Sequence, residues 1–249
     1  MAKQRNWVRE EVWAALALYL KTEFGRIHKG NPDIIALSER INRTPSAVAL
    51  KMSNLAALDQ TLDRKGMRHG SKMDKTVWKE WTSDKNLIVN FSQDTLSFKK
   101  ITQGTKTRDD AYGFAEGQDR FVQSKQRVGQ DVFRDMILSS YRSKCAMTGI
   151  DEPRLLTASH IVGWAEDKKS RLDPSNGICL NALHDRAFDR HLISFDQNYR
   201  MLVSMNIPER AREKLEDVAT VELRMPDKFL PNQDYLERHR RKFFDTQLN

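Results

Sequence analysis

The chain has 249 residues, enough for one large domain or two small ones, and its 39% apolar and 31% charged residues describe a soluble globular protein. A net charge of +8 and a pI near 9.5 favour a polyanionic partner, while the lack of a run of about 18 apolar residues excludes a membrane-spanning helix. Two cysteines give no disulfide framework, and Met1 to Trp7 does not lead into the apolar core of a signal peptide, so the expected location is cytoplasmic.

The first predicted helix covers 8–24, where Val8, Val12, Leu16, Tyr19 and Leu20 share one stripe. Glu10 and Glu11 lie in its first turn, where the helix dipole favours them. Gly25 and Gly30-Asn31-Pro32 then interrupt the helical pattern. A second helix over 33–41 places Ile34, Leu37 and Ile41 at helical spacing. Thr44 is then a good N-cap and Pro45 suits the first helical position. The third helix, 45–55, turns Val48, Met52 and Leu55 inward, leaves Ser46, Ser53 and Asn54 more exposed, and puts Lys51 on the flank. Three helices with a short turn before the last predict a helix-turn-helix-like module over 1–85, its third helix entering a major groove. Those residues hold 16 Lys/Arg and 10 Asp/Glu, so they carry +6 of the total +8. Arg64, Lys65, Arg68 and Lys72 come after the third helix in a glycine-containing segment that reads as a loop tracking phosphates. These four and Lys51 are the candidate DNA contacts. A small helical bundle with a solvated charged loop is the competing reading.

Residues 86–125 read as a linker. Leu87-Ile88-Val89 and Phe91, then Leu96 and Phe98, fit either a strand pair or a loose loop, and Gly104, Gly113 and Gly117 lie among polar residues. From 126 on, order returns. Phe133, Ile137 and Tyr141 recur at helical spacing over 130–142, with Arg134 and Arg142 off the stripe.

The apolar run Leu155 to Ile161 ends in Ser159-His160, Asn176-Gly177 marks a tight turn, and Ile178-Cys179-Leu180 leads into Asn181 to Asp189 with His184. This predicts strand, loop, strand, helix. Further on, Leu192 to Asp196 and Tyr199 to Val203 predict a hairpin. Pro208 to Leu215 predicts a helix, and Tyr235 to Phe244 a very basic one, either a clamp on a DNA backbone or an ordinary terminal helix.

The order His160, Asn176, His184 resembles the HNH nuclease family, whose site is a ββα-metal hairpin. Arg127-Val128-Gly129-Gln130, Cys145 to Gly149, Phe188-Asp189 and Leu192-Ile193-Ser194 extend the likeness towards its bacterial restriction-type branch. The implied architecture is α+β, a helical module of 1–85, a linker, and an HNH nuclease domain of 126–249. The implied activity is divalent-metal-dependent cleavage of double-stranded DNA, with Mg²⁺ or Mn²⁺, leaving 5′-phosphate and 3′-hydroxyl ends in a restriction or defence role, with a homodimer as a further expectation. His160 matches the general base, Asn176 the residue that pins the loop, and His184 the metal ligand. Many members carry four zinc-binding cysteines; here Thr148, Leu180 and Leu183 stand where three would fall, so no structural zinc is expected and Cys145 and Cys179 read as buried apolar residues. Ser159 stands where many members have a metal-binding aspartate. Asp189 lies about 140° round the helix from His184, Asp173 has no spacing to support it, and Arg186 and Arg190 read either as phosphate contacts or as solvated charges. The thin metal shell keeps a second expectation alive, a DNA-binding regulator on a degenerate HNH scaffold.

Overall fold

The computed structural model describes residues 5–59, 70–91, 114–217 and 220–248, with backbone alone over 114–126. They fall into two compact units, the first drawn from 1–20, 27–58 and 65–132, the second from 21–26, 59–64 and 133–249. The fold is α+β, with helices accompanied by two two-stranded antiparallel sheets.

In the first unit α1 (Arg9–Lys21), α2 (Pro32–Arg40) and α3 (Pro45–Ala56) form where the apolar spacing places them. Asn31 caps α2 by accepting from Asp33 N at 2.9 Å, and Thr44 caps α3 by accepting from Ala47 N at 3.2 Å. Val12, Trp13, Leu16, Ile34, Val48, Met52 and Leu55 make the core. A fourth helix, α4 (Lys72–Ser83), adds Val77 and Trp81. Its start is a capping box: Ser71 Oγ accepts from Asp74 N at 3.2 Å, and Asp74 Oδ2 from Ser71 N at 2.9 Å. Residues 87–91 form a further helical turn, in which Phe91 stacks on Trp13 at 4.4 Å between ring centroids. Leu96, Phe98 and the glycines 104 and 113 lie outside the described residues.

The helix α5 (Phe114–Ser140) covers the last third of the expected linker. Gly117 is a residue inside it rather than a break. An isolated glycine costs a helix only about 1 kcal/mol, which a long helix absorbs.

The second unit is built on the hairpin of β1 (Leu156–His160) and β2 (Gly177–Asn181), paired Leu156 to Asn181 and His160 to Gly177. Behind it α6 (Ala182–Asp189) packs against both strands. Phe133, Met136 and Ile137 of α5 are buried, and Arg134 Nη1 donates to Leu156 O at 2.7 Å, tying α5 to the start of β1. Asn176-Gly177 is not a tight turn at the hairpin tip. Residues Pro174–Asn176 make a 3-10 turn, and Gly177 is extended backbone opening β2. Glycine is needed there for room: a Cβ would come within 2.5 Å of Ile137 Cδ1 and 2.6 Å of Phe133 Cζ. A second hairpin, β3 (Ile193–Phe195) with β4 (Met201–Val203), leads to α7 (Glu209–Glu216) and α8 (Gln233–Asp245).

Candidate active site

His160 is the last residue of β1, with Ser159 before it pointing to the other face of the strand. The imidazole is half-buried. It stacks on Phe133 of α5 at 3.7 Å and 13°, and meets Trp164 edge-on at 5.5 Å. Its Nε2 lies 3.0 Å from Arg171 O. A carbonyl only accepts, so Nε2 carries the hydrogen and Nδ1 the lone pair. Burial holds the ring below the usual histidine range, with the Arg171 carbonyl opposing in part. The neutral form, with an accepting nitrogen, is thereby favoured near neutral pH.

The loop from β1 to β2 is held from inside. Asn176 is fully buried; its Oδ1 accepts from Val162 N at 2.8 Å, and its Nδ2 donates to Val162 O at 3.0 Å and Ser170 O at 3.2 Å. Ile161 N donates to Asn176 O at 2.9 Å. Arg171 adds a clasp: its Nε donates to Trp164 O at 2.6 Å and its guanidinium sits 5.2 Å from the centre of the Trp164 ring. One residue therefore supplies the carbonyl that orients His160 and fixes the indole that walls it.

From outside, α8 grips the same loop. Arg238 pairs with Asp167 at 3.4 Å, Lys242 pairs with Glu166, and Tyr235 Oη donates to Asp173 Oδ2 at 3.2 Å. The charges read as a DNA clamp or a plain basic helix thus have partners in the protein. His239 faces inward, stacked on Phe188 at 3.8 Å; its Nε2 donates to Phe188 O at 3.0 Å and its Nδ1 accepts from Ser194 Oγ at 2.9 Å.

His184 takes a different place from the one its position in the motif implied. Its ring is fully buried, with Nε2 donating to Leu215 O at 3.1 Å and Nδ1 3.1 Å from Asn181 Oδ1. Burial pushes its protonation downward. Neither nitrogen faces an open position, so the metal role expected of His184 does not fit; the ring ties α6 to α7. Its neighbour Asp185 faces β1 instead. Ser159 Oγ donates to Asp185 Oδ1, and Thr157 also bonds to this carboxylate. Burial raises Asp185 above the usual carboxylate range, against the Ser159 bond, and the charge of Asp189 raises it further. Counted from Asp185 rather than His184, Asp189 is four residues on, about 40° round the helix, and so on the same face. Asp189 is exposed and lies 3.7 Å from Arg186. Among the described residues no three of His, Cys, Asp and Glu gather as a metal cluster.

Cys145 is buried, with Asn181 N donating to its Sγ at 3.2 Å and Thr148 N at 3.5 Å. Cys179 is buried in β2, its thiol pushed up to about 12 by burial. Of the candidate DNA contacts, Arg64, Lys65 and Arg68 lie outside the described residues. Lys72 is exposed at the start of α4. Lys51 is not on an open flank. It is 5% exposed and its Nζ donates to the fully buried Asp74 at 2.6 Å, which takes it off the outer face of α3.

The hairpin, the pinned loop and α6 are what a comparison with known families picks out. Residues 145–196 match the family model HNH_2, described as HNH endonuclease. That span runs from Cys145 through His160, Asn176 and Asp185 to the end of the first strand of the second hairpin, and it supports a nuclease domain here. No curated protein matches the chain. No described helix is long and apolar enough to cross a membrane.

Proposed function

We propose that the chain is a metal-dependent DNA endonuclease of restriction or defence type, in which His160 activates the attacking water. One observation carries the reading. His160 is anchored through Nε2 to Arg171 O, has no partner at Nδ1 among the described residues, and stands next in β1 to Ser159, which bonds the carboxylate of Asp185. A water at Nδ1 gives up its proton to the ring, and the Arg171 carbonyl stabilises the imidazolium that results.

The cation is assigned to Asp185, with Asp189 one turn on, in place of His184. Mg²⁺ is commonly held by one or two carboxylates, its other positions filled by water and substrate phosphate. Two carboxylates on one face of α6, one of them half-buried and raised first by burial and then by the other's charge, fit that donor set. When bound there, Mg²⁺ or Mn²⁺ supplies charge stabilisation at the phosphate and the leaving oxygen. The basic helical module contributes DNA binding, and a homodimer would bring one such site to each strand of a duplex.

The test is cleavage of plasmid DNA with Mg²⁺, Mn²⁺ or EDTA by wild type, His160→Ala and Asp185→Asn. Wild type cuts only with metal; both variants lose about 10² to 10⁴ of the rate while still binding DNA. Undiminished cutting by His160→Ala removes it as the base. A second reading, a DNA-binding regulator on the same scaffold, draws on Ser159 and the short donor set; DNA bound but uncut with every metal selects it.

A further inference from the structure

The first unit contains a cavity of about 670 Å³ whose wall combines Arg5, Trp7, Arg9, Lys51, Lys72 and Met73. Two of the sequence-read DNA contacts, Lys51 and Lys72, are 21 positions apart and meet in it. It lies beside the start of α4, where the helix dipole adds positive potential. Most of its cations are fixed from behind. Glu11 holds both Arg5 and Arg43, Glu80 holds Arg9 at 2.7 Å, and Asp74 holds Lys51. The Lys72 ammonium has no partner among the described residues. Three carboxylates thus stand behind four cations, Lys72 adds a fifth with none, and the cations on the wall itself are Arg5, Arg9, Lys51 and Lys72.

Lys51 brings a fixed donor to the same wall. Its ammonium is buried and has three N–H groups, of which one donates to Asp74, and Nζ stands 4.8 Å from the centre of the Trp7 ring. Asp74 balances its charge, and the N–H groups that remain are placed to donate to a phosphate at the cavity wall. Trp7 itself is held in place by Arg43, whose guanidinium lies 4.1 Å from the ring centre. The wall therefore combines rigid donors with apolar surface of the size a nucleotide presents.

We propose that this cavity binds the phosphodiester backbone of duplex DNA, a phosphate meeting Lys51, Lys72 and Arg5 and the adjoining sugar lying against Trp7 and Met73. The inference rests on the DNA-binding reading of the basic module and relocates the contact. With Lys51 turned into the cavity, α3 has no other charged side chain, so the module holds DNA by its backbone at the α3–α4 side.

The experiment measures binding of a fluorescein-labelled duplex to the full chain by anisotropy in EDTA, across a range of salt. Replacing Lys51 would strand the buried Asp74 and unfold the unit, so the variants are Lys72→Ala and Arg5→Ala, the latter leaving Glu11 its Arg43 partner. Each weakens binding about 3- to 10-fold and flattens the plot of log affinity against log salt by about one unit, whereas Lys29→Ala, exposed and outside the cavity, does neither. Tryptophan emission, quenched by duplex in wild type, loses part of that response in Trp7→Phe. Unchanged affinity and slope in the Lys72→Ala/Arg5→Ala double variant overturns the cavity site and leaves the DNA reading standing. A wild type that binds no duplex at any salt overturns both.

Discussion

At the scale of single residues, the imidazole proposed as the base is defined by what surrounds it rather than by its own chemistry. A lone histidine at a strand end has either nitrogen available and protonates near 6.5. Here the Arg171 carbonyl selects the tautomer, Phe133 covers one face of the ring and Trp164 one edge, and burial lowers its protonation. A base held below the usual range stays neutral to lower pH, so the acid limb of kcat/KM falls with a midpoint under about 6.5. The Arg171 side chain shapes the same geometry through Trp164. Arg171→Ala is expected to lower kcat about tenfold with KM unchanged, about 1.4 kcal/mol of transition-state stabilisation, and to mix the two His160 tautomers in ¹⁵N spectra. Spectra that keep a single tautomer would remove Arg171 as a positioning residue, whatever the rate. The place of His160 at the end of a strand is legible in the sequence because motif order fixes strand-end residues well. The contact of Asp185 with Ser159 is not. The motif's third position falls on His184, and a shift of one along a helix turns a side chain by about 100°, which is the difference between facing Leu215 and facing Ser159.

Secondary-structure elements follow their apolar stripes, and the failures occur where packing or capping outweighs pattern. The stripes of α2 and α3 are readable because each has one buried face at the helical period, whereas α1 is buried nearly all round and β2 at every position, so they read as apolar runs. The helix α4 is signalled by Ser71 and Asp74 at capping-box spacing and by Val77 and Trp81 one turn apart, but the lysines around Ser71 and Asp74 give its start the look of a charged loop. Gly177 misleads in the opposite way. Asn-Gly signals a turn by default, yet this glycine is extended and exists so that α5 can lie on β2. A methyl group there meets Ile137 and Phe133, so Gly177→Ala should cost about 1 to 3 kcal/mol in urea denaturation and, by shifting Phe133, lower activity as well. The clash also predicts a compensating change. Ile137→Ala alone loses stability by leaving a cavity, but Gly177→Ala with Ile137→Ala should lose less than the two single losses added, because the new methyl fills part of the space. Strict additivity would mean that α5 and β2 do not meet in this way.

On the scale of the whole molecule, the chain is strongly basic yet keeps four of the five histidines among its described residues wholly or partly buried. His160, His184, His191 and His239 are all held below their ordinary value, chiefly by burial, and His239 is pushed down to about 3. In each case the unfolded chain binds the proton more readily than the folded one. Their contribution is therefore fully present above the unfolded value of about 6.5 and is lost as pH falls below it, at a slope approaching about 1.4 kcal/mol per pH unit for each fully shifted ring. His239 carries the widest window, since burial dominates its shift and His191 and Lys242 add to it, against the Phe188 O bond. The expected result is a denaturation midpoint that drops steadily between about pH 6.5 and 5, before ordinary carboxylates titrate. His239→Gln lowers stability at neutral pH through lost packing, yet flattens this pH dependence because one proton fewer is taken up on unfolding. If the variant keeps the wild-type slope, the acid sensitivity belongs to other groups and the buried histidines are not what closes the fold at low pH.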